Sequence, residues 1–275
     1  MRISSIVTTA LTMGREHQNF IGAKWLSFLL KICPENKKRK LALRLLSLSP
    51  HYFYRDLNPE YKNMPFKDFL EAEYERNRDS RRKICKLLLK PYLKSDYRIL
   101  DYGCGAGFLA KAVSEYAKEV YAVDISGTVI QCAEILNNAD NIKYSGVRTL
   151  PDFIDDESLD IIYSIAVIQH VTDEVFIQIL KNCSEKIKKN GKLLFHVQLE
   201  DSKWKTEKEW KSDVSVRGKI KLKYGLNCFS RTSGYFNESL SKFGFKVLSI
   251  RNVESICGEN FDDICKQDFI EAVKL

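Results

Sequence analysis

The chain has 275 residues, of which 44% are hydrophobic and 29% charged, and a formal net charge of +8 at pH 7. This length suits one large α/β domain with an appendage, and the composition excludes a disordered or fibrous protein. The eight cysteines stand singly without a C-x-x-C pair. That spacing argues against a disulfide framework or a zinc site and predicts reduced thiols in a cytoplasmic protein.

Positive charge is concentrated in the first third of the chain. Residues 1–98 hold 21 Lys and Arg against 10 Asp and Glu, whereas residues 99–275 hold 23 against 26. A basic surface can face nucleic acid, an acidic partner or anionic lipid, but a solvated helical surface is the favoured interpretation. The longest apolar stretch, residues 20–33, is interrupted by Lys24 and Lys31 and is too short to span a bilayer.

Residues 1–92 are predicted to form a helical cap on the rest of the protein. Apolar residues at helical spacing predict helices over residues 16–33 and 66–89, with another between Pro34 and Pro50. The side chains expected to reach inward from this region are Tyr54, Tyr74, Arg78 and Arg81, with an exposed helix charge as the favoured alternative for Arg78.

A strand, a glycine-rich turn and a helix are predicted next. A short apolar run ending at Leu100 predicts a buried strand, and apolar residues at helical spacing from Phe108 predict a helix. Between them stand Gly103, Gly105 and Gly107. Because glycine lets the backbone turn tightly and approach a ligand closely, this pattern predicts a nucleotide-binding loop.

Two carboxylates refine the choice of nucleotide. Residues 120–124 predict a second buried strand, and Asp124 at its end can accept both hydrogen bonds of a ribose diol. Asp101 stands two residues before Gly103, and the glycine spacing is G-x-G-x-G rather than G-x-G-x-x-G. Both features argue against a dinucleotide, because a carboxylate before the loop suits an ammonium group better than a pyrophosphate.

Four stretches carry a resemblance to a known family. Ile99-Leu-Asp-Tyr-Gly-Cys-Gly-Ala-Gly107 and Val123-Asp-Ile-Ser126 resemble the S-adenosylmethionine (SAM) site of class I methyltransferases. Ser158-Leu-Asp-Ile-Ile-Tyr-Ser164 and Val167-Ile-Gln-His-Val171 resemble that family's fourth strand and the turn beyond it. The resemblance implies an α/β, Rossmann-like, seven-stranded sheet, with the last strand inserted antiparallel, in a SAM-binding domain over residues 93–275. It also implies a methyltransferase that uses SAM and releases S-adenosylhomocysteine. The implied cofactor contacts are Asp101, Gly103, Cys104, Gly105, Gly107, Asp124, Ile125, Val147, Arg148, Ser164 and Arg78.

One departure from the family concerns the adenine. In many relatives an Asp follows the glycine after the third strand and binds the adenine amino group. Here Gly146 is followed by Val147 and Arg148, so that contact must come from the backbone or from elsewhere.

Two histidines are candidates for a catalytic base. His196 stands near the carboxyl end of the predicted fifth strand, residues 191–197, and is the first choice because imidazole titrates near working pH. A core or surface histidine is an equal alternative. His170, just past the fourth strand, is expected to be structural, with a base role as the alternative. Gln169 is a poor ligand for Mg²⁺ or Zn²⁺, and no metal is expected.

The region after the fifth strand is predicted to be a lid. Residues 200–230 alternate lysines with aromatic residues, and relatives build a substrate lid at this point. A nucleic-acid patch is the less favoured alternative, because no stacking signature is present. A helix over 232–243 and strands over 245–250 and 269–274 follow. The expected substrate contacts are Tyr54, Tyr74, Gln169, Gln198, Trp204 and Tyr224.

These features together predict SAM-dependent methylation of a small-molecule or natural-product acceptor, at a hydroxyl or carboxylate oxygen. A catalytic base would matter for a hydroxyl and hardly at all for a carboxylate. The alternatives are a tRNA or protein methyltransferase that uses the basic N-terminal face, and a non-catalytic SAM-binding protein. No N-P-P-Y-type tetrapeptide follows Ser164, which counts against base methylation. We expect a monomer or homodimer without a nucleic-acid partner or membrane span.

Overall fold

The computed structural model describes residues 24–47, 59–61, 63–201, 204–223, 227–258 and 267–275. The described strands are β1 (Arg98–Tyr102), β2 (Glu119–Asp124), β3 (Ile142–Gly146), β4 (Leu159–Ser164), β5 (Ile187–Val197), β6 (Phe245–Asn252) and β7 (Asp268–Lys274). The described helices are α1 (Lys24–Ile32), α2 (Glu35–Ser47), α3 (Phe66–Ile84), α4 (Phe108–Ser114), α5 (Gly127–Leu136), α6 (Leu150–Phe153), α7 (Asp173–Lys186), α8 (Glu207–Lys211), α9 (Val216–Lys223), α10 (Ser233–Lys242) and α11 (Val253–Cys257).

The strands form one sheet in the order β3-β2-β1-β4-β5-β7-β6. The first five strands pair in parallel, and β7 pairs antiparallel with both β5 and β6. This arrangement confirms the predicted Rossmann-like sheet with an inserted last strand. The predicted bounds of the fourth strand, which ends at Ser164, match β4 closely.

Apolar clusters cover both faces of the sheet. On one face, Leu109 of α4 and Ile130 of α5 pack with the β1 residue Ile99. On the other face, Phe176 of α7 and Phe236 of α10 pack with residues of β4 and β5. Burial on both faces explains why the central strands are continuous apolar runs in the sequence.

The connections leave β1 and β4 in opposite directions along the sheet, because β2 lies beyond β1 and β5 lies beyond β4. The carboxyl ends of neighbouring strands that diverge in this way leave a crevice between them, and open α/β sheets bind their ligands there. The loops after Tyr102, Ser164 and Val197 all emerge at this edge.

The N-terminal helices form a third apolar cluster beside the glycine loop. Leu30, Leu43 and Phe69 pack with Ala106 and Phe108 of the loop and first turn of α4. The described residues thus place α1–α3 against the ligand edge of the sheet.

Two details of these helices differ from the prediction. Phe28 and Ile32 belong to the apolar spacing that predicted the first helix, over residues 16–33, and were expected to be buried, but Phe28 is 58% exposed and Ile32 60% exposed, whereas Leu30 is buried. Helix α3 ends at Ile84, and a π-helical turn over Cys85–Leu89 follows it. Among the described helices, none is both long enough and apolar enough to cross a membrane.

Candidate active site

The loop between β1 and α4 is bonded to the end of β2. The backbone N–H groups of Gly103 and Cys104 both donate to the carbonyl oxygen of Val123, at 2.8 and 2.9 Å. Gly103, Gly105 and Gly107 have φ angles of 85°, 53° and 79°. Other residues rarely adopt this left-handed region, so the three glycines are required by the backbone path of the loop.

Packing adds a second requirement at Gly107. A Cβ at this position would lie 2.4 Å from the Tyr144 hydroxyl oxygen and 3.0 Å from the Cβ of Ala133. The Tyr144 hydroxyl donates to the carbonyl oxygen of Asn137 at 3.0 Å and has little freedom to move away. Gly107 therefore lets α4 approach both β3 and α5.

The Asp124 carboxylate closes the loop from the other side. Its Oδ2 accepts the N–H of Gly105 and its Oδ1 the N–H of Ser126, both at 2.9 Å. Burial raises the pKa of Asp124, and hydrogen bonds from the N–H groups of Ser126, Gly105 and Ile125 oppose that rise. Because each carboxylate oxygen has two lone pairs, both oxygens can also accept a hydrogen bond from a ligand hydroxyl.

A cavity of about 60 Å³ lies beside the glycine loop. Its walls come from α3, from the end of β1, from the glycine loop with α4, and from the loop after β4. The lining residues are Asn77, Arg81, Asp101, Gly103, Cys104, Ala106, Phe108, Leu109 and Ile165.

Asp101 is the acidic group of this cavity. The residue is only 2% exposed, and its Oδ2 has no hydrogen-bond partner among the described residues. The pKa of Asp101 is raised to about 8, mainly by burial and in smaller part by the charge of Asp124, against the lowering effects of the nearby Tyr163 hydroxyl and Arg81 guanidinium. A buried carboxyl of this kind gains stability when a ligand brings it a cation.

Arg81 and Asn77 face the same cavity from α3. They are four residues apart and therefore lie on one face of the helix. A guanidinium opposite a carboxyl can hold the two ends of a zwitterion, as in an α-amino acid. Asn77 was missed by the sequence analysis, although buried Glu73 and Asn77 continue the i, i+4 spacing to Arg81 and mark this face.

Arg78 lies on another side of α3. Its guanidinium pairs with Glu75, and its Nε donates to Asp79 at 3.2 Å. The cavity is lined by Arg81 and not by Arg78. The ion pairs of Arg78 on the helix surface fit its favoured alternative of an exposed helix charge, whereas Arg81, which was also expected to reach inward, lines the cavity.

The remaining predicted cofactor residues differ in what they can offer. The Ser164 hydroxyl is fully buried and donates to the carbonyl oxygen of Tyr102 at 2.7 Å, which joins β4 to β1. Burial raises the pKa of the Cys104 thiol well above its usual range, so this cavity residue is not a nucleophile. At the ends of β2 and β3, Ile125 and Val147 are half-buried and Arg148 is exposed.

The Tyr74 side chain, predicted to contact the substrate, makes its contacts within the protein. Its hydroxyl donates to the carbonyl oxygen of Leu136 at 3.0 Å and lies 3.2 Å from the Asn137 side-chain oxygen. Its ring packs 5.2 Å from that of Phe108. These contacts join α3 to α4 and to the end of α5. Trp204 is exposed, and Tyr54 and Tyr224 lie outside the described residues.

His196 is fully buried, and its Nδ1 accepts the N–H of Ala166 at 3.1 Å. The neutral ring therefore carries its proton on Nε2 and has no spare lone pair with which to accept another. Ala166 has a φ angle of 60°, an uncommon conformation for a residue with a side chain. The Nδ1 lone pair is thus taken up by the loop after β4, which supports the alternative of a buried core histidine over the predicted base role.

His170 has the opposite tautomer. Its Nδ1 lies 2.9 Å from the carbonyl oxygen of Asn227, to which it must donate, and 3.8 Å from the Cys228 sulfur. The lone pair of the neutral ring is then on Nε2. The ring is half-buried, at the edge where the loops after β4 and β5 meet. The geometry therefore suits His170 better than His196 for accepting a proton.

The loop after β4 reaches both halves of this edge. Ile165 lines the Asp101 cavity. The Val167 side chain packs against Gly103 so closely that a Cβ on this glycine would lie 2.5 Å from it. Two residues later, the carbonyl oxygen of Gln169 accepts the N–H of Phe229 at 2.6 Å. Within the described ranges, no three His, Cys, Asp or Glu side chains gather as metal ligands would.

Comparisons with known proteins agree on one family. Residues 72–250 match the family model described as a methyltransferase domain, so the match begins inside the region predicted to be the cap. A ribosomal protein L11 methyltransferase of Acetivibrio thermocellus is 34% identical over 114 residues, 40% of this chain and 34% of that protein. A ubiquinone biosynthesis O-methyltransferase of Coxiella burnetii is 35% identical over 103 residues, 35% of this chain and 42% of that protein. The chain thus matches well under half the length of these curated relatives.

A solved structure shares the fold. The SAM-dependent methyltransferase of Methanosarcina mazei aligns with a TM-score of 0.52 and 20% identity, over 68% of this chain and 96% of that chain. The family match covers more than half of the sequence and includes the glycine loop, Asp124 and the loop after β4. The chain therefore belongs to the methyltransferase domain family, among the class I SAM-dependent methyltransferases.

Proposed function

We propose that the protein transfers the methyl group of SAM to an oxygen atom of a small-molecule acceptor. The observation that carries this proposal is the buried Asp101 carboxyl, whose Oδ2 has no partner among the described residues and which faces Arg81 beside the glycine loop.

The residues present fit SAM. Asp101 would receive the ammonium group and Arg81 the carboxylate of its amino-acid end, while Asp124 would accept hydrogen bonds from the ribose hydroxyls. The backbone of the glycine loop, Ile125 and the residues after β3 remain the proposed neighbours of the nucleoside. When bound, SAM supplies an electrophilic methyl group on a sulfonium.

The protein's own contribution is alignment, exclusion of water and removal of one proton. The loops after β4 and β5 would hold the acceptor in line with the methyl group, which is a large part of the rate enhancement in a two-substrate reaction. His170 is the proposed proton acceptor, because its Nδ1 donates to Asn227 and its Nε2 carries the lone pair. His196 would position the loop through Ala166.

The proposed cap is consistent with this function. Residues 1–92 would cover the ligand edge, since the described α1–α3 pack on Ala106 and Phe108 next to the Asp101 cavity. Residues 93–275 would form the SAM-binding domain, and residues 200–230 its lid.

An oxygen acceptor is supported by the similarity to a ubiquinone biosynthesis O-methyltransferase. The similarity to a ribosomal protein L11 methyltransferase keeps a protein acceptor as the second candidate. Recognition of nucleic acid by the basic N-terminal face is disfavoured, because many basic side chains of α2 and α3 already pair with carboxylates. These pairs are Lys38–Glu35, Arg39–Glu71, Arg76–Glu73, Arg78–Glu75 and Arg82–Glu115.

The test has two steps. Isothermal titration calorimetry of the full chain with SAM should show saturable binding, and absence of binding at millimolar SAM would overturn the proposal. Methyl-tritiated SAM should then label a small-molecule fraction rather than protein or tRNA. Label in ribosomal protein or tRNA alone would replace the small-molecule acceptor with the corresponding alternative.

A further inference from the structure

Three buried carboxamides lie at the edge where an acceptor would meet the cofactor. Gln169 is 4% exposed, Gln198 3% and Asn227 1%. Oε1 of both glutamines, and both polar side-chain atoms of Asn227, find no hydrogen-bond partner in the part of the chain that the structure describes. Buried polar groups are nearly always hydrogen-bonded in folded proteins, so these four unpartnered atoms point to a ligand that supplies the partners.

Backbone hydrogen bonds bring these residues into one assembly. The carbonyl oxygen of Asn227 accepts from His170 Nδ1 at 2.9 Å. The carbonyl oxygen of Gln169 accepts from Phe229 N–H at 2.6 Å, and that of Gln198 accepts from Arg231 N–H at 3.1 Å. The loop after β4, the end of β5 and residues 227–231 thus meet at the proposed proton acceptor.

The ionised side chain that joins this assembly is already satisfied by the protein. Arg231 is 5% exposed, and its Nε donates to Asp173 at 2.7 Å. Its two other nitrogens donate to the carbonyl oxygens of Ile168 and Val171, at 3.0 and 2.6 Å. Arg231 thus orders the loop after β4 and does not serve as a receptor for an anionic ligand.

We propose that Gln169, Gln198 and Asn227 recognise the acceptor, and that this acceptor is an uncharged molecule whose reacting hydroxyl is flanked by hydroxyl, carbonyl or amide groups. The inference rests on the proposed methyl transfer. It narrows the expected acceptors from hydroxyl and carboxylate compounds to neutral compounds with a hydroxyl group. Carboxamides both donate and accept hydrogen bonds, and they carry no charge with which to neutralise a buried carboxylate or ammonium.

The chemical step balances with these residues. The acceptor oxygen forms a bond to the methyl carbon while the bond between that carbon and the sulfonium sulfur breaks, and the sulfur keeps the electron pair. The hydroxyl proton passes to His170 and from there to water. The products are the methyl ether, S-adenosylhomocysteine and one proton.

The proposed lid lies against the same assembly. The Trp210 indole N–H donates to the carbonyl oxygen of Cys228 at 2.8 Å, and Ser230 is bonded to both Trp204 and Lys205. Residues 204–223 therefore lie against the strip of chain that carries Asn227. Displacement of this segment would give an acceptor access to the carboxamides.

The first test separates acceptors by charge. A small-molecule extract of cells that naturally make the protein is divided by cation and anion exchange, and each fraction is incubated with the full chain and methyl-tritiated SAM. We expect label in the fraction that neither exchanger retains. Label only in a retained fraction would overturn the neutral-acceptor inference and leave methyl transfer standing. Label in no fraction would overturn methyl transfer to a small molecule, and the inference with it.

The second test measures the activity of carboxamide variants with the labelled fraction as the source of acceptor. Serial dilution of this fraction provides the series of acceptor concentrations. Asn227→Asp and Gln169→Met each remove hydrogen bonds at nearly constant side-chain volume. We expect kcat/KM to fall about ten- to a hundredfold through KM, while the Kd for SAM stays unchanged. The matched control is Asn138→Asp at an exposed position. Gln169→Met introduces no charge and keeps the test valid if Asn227→Asp fails to fold. Folded variants with unchanged KM would overturn the proposal.

Discussion

The cofactor crevice and the carboxamide assembly lie at the same edge of the sheet and are built in opposite ways. The crevice combines charged groups with a glycine loop, and most of its contacts come from residues 101–126, so the Asp124 carboxylate is satisfied by neighbouring backbone. The carboxamide assembly is uncharged and joins residues from three separate segments, at Gln169, Gln198 and Asn227. Oε1 of both glutamines and both polar side-chain atoms of Asn227 find no hydrogen-bond partner within the described chain.

This difference separates two functions of one active site. A local, charged crevice is suited to a cofactor of fixed structure, because its geometry depends on one turn and two strands. A neutral assembly of distant segments is suited to a particular acceptor, because small changes in any segment alter its shape.

The largest effect is expected from the residue at the boundary between the two regions. In His170→Asn, the new amide can still donate to the Asn227 carbonyl but can no longer accept the acceptor's proton. We expect kcat to fall about 10²- to 10⁴-fold, with an unchanged Kd for SAM. Single-turnover kinetics with methyl-tritiated SAM would measure the rate. A rate within threefold of the wild-type value would exclude His170 as the proton acceptor.

The next effect concerns the crevice alone. Asp124→Ala removes the proposed ribose acceptor and leaves the buried N–H groups of Gly105 and Ser126 without their partner. We expect the Kd for SAM, measured by calorimetry, to rise about 10- to 100-fold. Asp140→Ala at an exposed position is the control. Equal SAM affinity in both variants would contradict the assignment of Asp124.

The pH dependence of cofactor affinity tests Asp101. With its pKa raised to about 8, Asp101 is protonated in the free protein at pH 6, whereas an ammonium ligand needs the ionised carboxyl. Affinity for S-adenosylhomocysteine should therefore rise up to about tenfold per pH unit between pH 6 and 8. Calorimetry on Asp101→Asn should show weaker binding without this slope. A slope that survives in the variant would assign the titration to another group.

The same raised pKa affects the stability of the ligand-free protein. The folded-state pKa lies above the ordinary value of 3.8, so the folded chain binds more protons than the unfolded chain between pH 4 and 8. The contribution of Asp101 to the free energy of unfolding therefore falls as pH rises through this range. In thermal unfolding without ligand, Asp101→Asn should gain more stability at pH 8 than at pH 5.

A pair of glycine variants tests whether the crevice depends on backbone shape. Gly107→Ala combines a positive φ with a Cβ 2.4 Å from the Tyr144 hydroxyl. We expect this variant to lower the free energy of unfolding by about 1–3 kcal/mol. Gly127→Ala meets no atom within 4 Å and should leave stability unchanged or slightly higher. Urea unfolding compares the two. Equal midpoints would mean that α4 can shift to accept a side chain.

The smallest effect separates positioning from acid–base chemistry at His196. His196→Asn offers an oxygen near the place of Nδ1 and can keep the bond to the Ala166 N–H, whereas His196→Leu cannot. We expect the Leu variant to be less stable than the Asn variant by about 1–3 kcal/mol. The pH profile of kcat should be the same in the wild type and in His196→Asn. Loss of a titration from that profile would restore His196 as the base.

Much of the crevice could be predicted from the sequence, because its signals are local. A glycine with a positive φ, a buried strand and a carboxylate at a strand end each depend on a few neighbouring residues. The bounds of β4 and the inserted antiparallel β7 were correctly predicted. The helix that carries Arg81 was also predicted, with Arg81 reaching inward, whereas Asn77 on the same side was not.

The roles of the two histidines could not be predicted, because each depends on a distant backbone group. The Ala166 N–H fixes the tautomer of His196 from a neighbouring strand's loop, and the Asn227 carbonyl fixes that of His170 across 57 residues. The hydrogen bonds of Tyr74 could not be predicted for the same reason, since its partners are at the end of α5. Gln169 and Gln198 could be selected as candidate acceptor contacts because each follows a predicted strand. The position of Asn227 depends on the path of the chain after the lid, which the sequence does not predict.

The loop after β4 links the two halves of the site mechanically. The Val167 side chain packs against Gly103 in the crevice. The carbonyl oxygen of Gln169 accepts a hydrogen bond from the Phe229 N–H in the carboxamide assembly. A shift of this short segment alters both halves at once. Thermodynamic reciprocity then applies: the factor by which a bound nucleoside changes the affinity for the acceptor equals the factor by which the acceptor changes the affinity for the nucleoside.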